Sequence, residues 1–213
     1  MAASATDRLD GAGADSDAPE AGRVAAACGA VATLSALGGI ALAVLLDPTF
    51  SWTTDALSDL GVRDGSAVAF NGGLIAGGAA GVCYAVGLGR GGRPVRALLL
   101  ALAMVAMAGV GVFDLTEPLH GPAAIGFYGL VTAVFAVDGW FRRRESTGRV
   151  ALAFAPVHVG VWATFAAGWW PVTGLALPEL PGALMLAAWV WVVGPAPVIE
   201  ALRSALGDPT DGH

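Results

Sequence analysis

Long apolar runs separated by short polar islands dominate the chain. Six runs, roughly residues 24–46, 67–89, 97–113, 122–141, 150–170 and 182–202, each come near the ~20 residues an α-helix needs to cross about 30 Å of hydrocarbon. The third is the shortest, at about 17 residues, the lower end of the spanning range. No stretch alternates with period two as barrel strands do, and lipid leaves helices as the form that pairs every backbone group. The pattern predicts an all-α, six-transmembrane-helix bundle over residues 23–205. Residues 1–22 are small, acidic and free of aromatics, so that segment and the 206–213 tail are expected to be disordered. The acidity has the wrong sign for a signal peptide, and no apolar stretch precedes Cys28 as a lipoprotein signal would require.

Charge sets the threading. Hydrophobic residues make up 56% of the 213 and charged residues 13%, about half the share usual in soluble domains. All eleven basic residues are arginine. Arg8 and Arg23 precede span one, Arg90, Arg93 and Arg96 follow span two, Arg142, Arg143, Arg144 and Arg149 follow span four, and Arg203 ends span six. Only Arg63 falls on the other side. Positive residues stay cytoplasmic, so both termini are expected inside, in a multi-pass protein of the cell membrane. A net charge of −6 without lysine argues against nucleic-acid binding, and the acidic, Ala- and Gly-rich composition fits a salt-adapted source.

The outer loops carry most of the remaining chemistry. Over Asp47–Gly61 the chain reads DPTFSWTTDALSDLG. A helix over residues 52–60 would put Trp52, Ala56, Leu57 and Leu60 on one face and Asp55, Ser58 and Asp59 on the other. That is a short amphipathic helix lying at the membrane interface, with Trp52 as its anchor. The second outer loop brings Asp114, Glu117 and His120, and the third brings Glu179 between Pro178 and Pro181. Together these form a candidate outer-face polar cluster. No HxxxH or HExxH spacing occurs, so no metal or cofactor is assigned. A solvated acidic face explains the carboxylates equally well.

Within the spans, Asn71, Asp138 and His158 are the polar candidates. Asp138 precedes Arg142 by four residues and is expected to pair with it at the interface. His158 falls near mid-membrane, and Asn71 is placed to bond across helices. Gly73, Gly77 and Gly81 form consecutive GxxxG steps, which serve either packing within the chain or a homo-oligomer seam. Cys28 and Cys83 show no zinc or CxxC spacing and read as small core residues.

The Asp47–Gly61 stretch followed by FNGGLIAGG resembles the signature of the domain of unknown function 998 family. GVFD at the end of span three, LHGPAA at the start of span four and LALPEL before span six continue the likeness over roughly residues 24–205. The resemblance implies a small polytopic membrane protein of the kind found in archaea and bacteria, and brings no activity with it. It draws attention to Trp52, Asp55, Ser58, Asp59, Asn71, His120 and Glu179, which lie in the matching motifs. The resemblance also implies asparagine in many relatives at the position of Asp55, which argues against catalysis by that carboxylate.

Two readings of function follow. One is a non-catalytic protein of the lipid bilayer, structural or binding a lipid or partner, whose outer motifs fasten the loop to the bundle. The other is a metal- or proton-dependent site, as in a membrane lipid hydrolase or a cation carrier, built from Asp59, His120 and Glu179. The first is favoured, because two histidines outside the tail are too few for a clustered histidine site.

Overall fold

Helix follows helix with short connections in the computed structural model, which describes residues 9–207. The elements are α1 (Leu9–Leu46), a 3-10 turn (Leu57–Gly61), α2 (Ala67–Arg90), α3 (Pro94–Val112), α4 (His120–Phe141), α5 (Ser146–Ala166), α6 (Ala176–Ala188), a π turn (Trp189–Val193) and α7 (Val198–Leu206). Six segments are long and apolar enough to cross a membrane: 20–46, 67–90, 94–112, 120–141, 146–166 and 176–204. Consecutive helices pack side by side from α1 to α5, and α7 returns against α1. The outward surface is apolar, with Leu45 81%, Val68 86% and Ile125 77% exposed, as lipid contact requires. The core between the helices holds Tyr84, Leu100, Phe135 and Trp189.

Several boundaries move from the sequence expectation. Spans three, four, five and six each begin before the expected residue, at Pro94, His120, Ser146 and Ala176. Proline is tolerated in a first helical turn, where its missing N–H has no partner to lose, so Pro94 and Pro178 start helices rather than delay them. α1 is helical from Leu9, so residues 9–22 of the expected acidic tail continue the helix; residues 1–8 and 208–213 lie outside the described residues.

The interfacial helix expected over residues 52–60 is instead a single 3-10 turn beginning at Leu57. Its faces differ too: Ser58 is buried with Leu57 and Leu60, rather than sharing an outward face with Asp55 and Asp59. The cause is local hydrogen bonding. Asp55 Oδ2 accepts the Ser51 N–H at 3.0 Å and Asp59 Oδ2 accepts the Ala56 N–H at 2.7 Å, so each acid closes its own turn. Trp52 is 36% exposed and packs edge-on against Phe50 at 5.2 Å.

The glycine ladder of α2 is used inside the chain. A β-carbon on Gly73 would lie 2.8 Å from Gly39 Cα, and one on Gly77 2.8 Å from the Ala32 carbonyl, so both mark the close approach of α1. Gly81 faces the Met104 side chain of α3, and Gly78 marks the close approach of that helix, with a β-carbon there 2.6 Å from the Met104 carbonyl. With both neighbours seated on these residues, the face is not available as the oligomer seam that the spacing also allowed.

Candidate functional site

Two polar assemblies occupy opposite ends of the bundle. At the end formed by the 47–66 loop, the chain builds a cap. Arg63 joins two acids, with Nη1 2.7 Å from Asp47 and Nη2 2.9 Å from Asp55. Bonds from Thr49 and Arg63 lower the Asp47 carboxyl to about 2, and bonds from the Ser51 N–H and Arg63 lower that of Asp55. Arg63 itself is raised by the same two partners. The loop is then stitched to the 167–175 connection by backbone bonds from Thr173 and Gly174 to the Thr53 carbonyl, and from Ala176 to the Asp55 carbonyl, at 2.9–3.0 Å. Glu179, buried at the start of α6, accepts the Leu57 N–H at 2.8 Å. Asn71 donates to the Gly61 carbonyl at 2.8 Å, and the Ser66 hydroxyl to the Leu60 carbonyl at 2.8 Å. Asn71 therefore holds the loop turn rather than a neighbouring span.

The remaining loop candidates at this end take local partners. His120 Nδ1 lies 2.7 Å from the Phe113 carbonyl, closing the α3–α4 connection. Asp114 accepts the Thr116 N–H and hydroxyl, which lower its carboxyl, and Glu117 is exposed. No ion pair joins Asp59, His120 and Glu179 among the described residues. Nor do any three His, Cys, Asp or Glu side chains there lie close enough to hold a metal.

Beneath the cap lies an apolar slot of about 80 Å³ between α1, α2, α3, α4 and α6. Ser58, His120 and Glu179 line its capped end, and Tyr84 and Leu100 its far end. Along α2 it reaches from Phe70 to Tyr84, about 20 Å at 1.5 Å per residue.

His158 belongs to a separate, satisfied group. The Thr132 hydroxyl donates to the Tyr128 carbonyl at 2.9 Å, so His158 Nδ1–H donates to Thr132 Oγ1 at 2.8 Å, while Nε2 accepts the Trp162 N–H at 3.2 Å. A neutral imidazole meets this pattern with nothing left unpaired.

At the arginine-rich end, Asp138 is fully buried between the helices. The expected pair with Arg142 forms, through Arg142 Nε at 2.9 Å from Oδ1 and Nη2 against Oδ2. Trp189 Nε1 donates to the same carboxylate at 2.8 Å, and Arg96 Nε stands 3.1 Å away without the alignment of a hydrogen bond. A buried charge requires such partners. Arg142 Nη2 also reaches the Val193 carbonyl and Tyr84 the Ala196 carbonyl, at 2.8 and 2.9 Å, so these two acceptors, where span six leaves helical form, are satisfied. Sequence reading missed Arg96, Tyr84 and Trp189 here; the GPAP run at residues 194–197 is the signal that marks the break.

Six apolar membrane-length helices with polar loops define the class: a polytopic α-helical membrane protein in contact with the bilayer. The family model described as "Protein of unknown function (DUF998)" matches residues 30–196, and the chain belongs to that family. Searches of curated proteins and of solved structures gave no match.

Proposed function

We propose that this protein is a non-catalytic binder of a membrane amphiphile, with the occupant's apolar chain in the slot and its polar end at Ser58, His120 and Glu179. The observation that carries this reading is the pairing of a narrow apolar slot with a fixed cap whose ionisable groups fasten loops. Glu179 and Asp59 are each taken by a backbone N–H, which supports fastening over a metal- or proton-dependent site. The slot has room for several water-sized groups, enough for part of an acyl or isoprenoid chain. The arginine distribution supports a cytoplasmic location for both termini and an outer location for the cap.

Native mass spectrometry of protein extracted with its lipids tests this. The wild type retains an amphiphile adduct, and Ala187→Leu, which fills the slot wall, loses it in the monodisperse fraction. An adduct pattern identical in the two proteins contradicts the reading.

A further inference from the structure

Span six is interrupted close to its arginine-rich end. The π turn at 189–193 gives way to extended backbone at Gly194 and Pro197 before α7 begins. Non-helical backbone at that depth is tolerated where it lines a polar cavity. Such a cavity is present: a cleft of about 450 Å³ between the α2–α3 turn, the α4–α5 turn and the interrupted segment. Arg93, Arg96 and Arg142 line it, with Glu145, Thr147 and Glu200.

The three arginines differ in how far they are committed. Arg142 is spent on Asp138, Glu145, Thr147 and the Val193 carbonyl. Arg96 is anchored by the charge of Asp138 and stacks over the Phe141 ring at 5.2 Å, and no hydrogen bond leaves its two η nitrogens among the described residues. Among the described residues the Arg93 side chain hydrogen-bonds only the Gly91 carbonyl of its own turn, at 3.3 Å. Asp138 offsets Arg96 only at Nε and is shared with Arg142 and Trp189, Glu145 is taken by Arg142, and Glu200 lines the cleft, but no acid is hydrogen-bonded to the η nitrogens of Arg96 among the described residues, so its outer donor edge stays open. A guanidinium held in place by stacking and a buried carboxylate suits two-point recognition of phosphate oxygens. Basic pockets between helices on the cytoplasmic side are the expected seats of anionic headgroups.

We propose that this cleft binds a phosphate group through Arg96 and Arg93, carried by an acidic phospholipid or free in solution. The site is independent of the slot beneath the outer cap.

Binding to the purified full chain in a neutral maltoside detergent distinguishes the sources. Dioctanoyl phosphatidylglycerol and inorganic phosphate are titrated separately. Saturable binding of the lipid alone assigns a headgroup, and binding of phosphate with equal affinity assigns the free anion. In either case Arg96→Gln and Arg93→Gln each weaken binding by about tenfold or more. Arg144→Gln, in the same basic island but outside the cleft, leaves it unchanged. Should Arg96→Gln fail to fold, Arg93→Gln carries the test, since the one side-chain hydrogen bond of Arg93 among the described residues is within its own turn. The proposal is overturned if neither probe saturates, or if Arg144→Gln weakens binding as much as Arg93→Gln.

Discussion

Asp55 and Asp59, four residues apart, meet different partners. Had the segment been helical, the two carboxylates would have faced one another at a cost of a few tenths of a kcal/mol. Instead each closes a turn, and Arg63 draws Asp55 toward Asp47. The isolation of Arg63 from the other arginines is visible in the sequence, but its two partners, 16 and 8 residues away, depend on how the loop folds. A pH dependence follows. Asp47 and Asp55 have lowered pKa values in the fold, so the unfolded chain takes up protons first, at the ordinary carboxylate value near 4. The contribution of the pairs is complete above that value and is lost as pH falls toward about 2. Arg63→Ala lowers the thermal midpoint at neutral pH by a few degrees and makes the loss below about pH 4 smaller, so that the two proteins converge in acid. Midpoint-against-pH curves that superimpose for the two proteins would remove Arg63 from the cap.

Among the elements, span number was legible because each apolar run exceeds what a buried soluble helix needs. The loop helix was not, because Asp55 and Asp59 take backbone N–H groups of their own loop and a facial pattern over nine residues cannot register that competition. The break in span six was hidden for a different reason: a hydropathy window averages over Gly194, Pro195 and Pro197 while their apolar neighbours keep the mean high. The glycine ladder was legible as a packing surface, but its partner was not. Its use against α1 predicts a contrast between adjacent positions. Gly73→Ala places a methyl against Gly39 and costs about 1–3 kcal/mol by overpacking. Gly72→Ala meets open space and is neutral or stabilising, since alanine is the better helix former. Equal melting temperatures in detergent for the two variants would mean that α1 and α2 do not meet at Gly73.

The whole molecule has two unlike ends, a capped end where ionic groups fasten loops and an arginine-rich end where a buried Asp138 network supports an interrupted helix. Which end faces the cytoplasm governs what each can encounter, an outer-leaflet amphiphile or an anion from the cell interior. Ser66, at the capped end, is buried and bonded to the Leu60 carbonyl, so a reporter belongs at the neighbouring exposed Asp64. Ser146, exposed at the start of α5, reports the other end. With Cys28 and Cys83 replaced by alanine, single cysteines at positions 64 and 146 are treated in intact cells with a membrane-impermeant maleimide. The account predicts that position 64 labels in intact cells and that position 146 labels only after the membrane is opened; labelling of both in intact cells, or of position 146 alone, would contradict it.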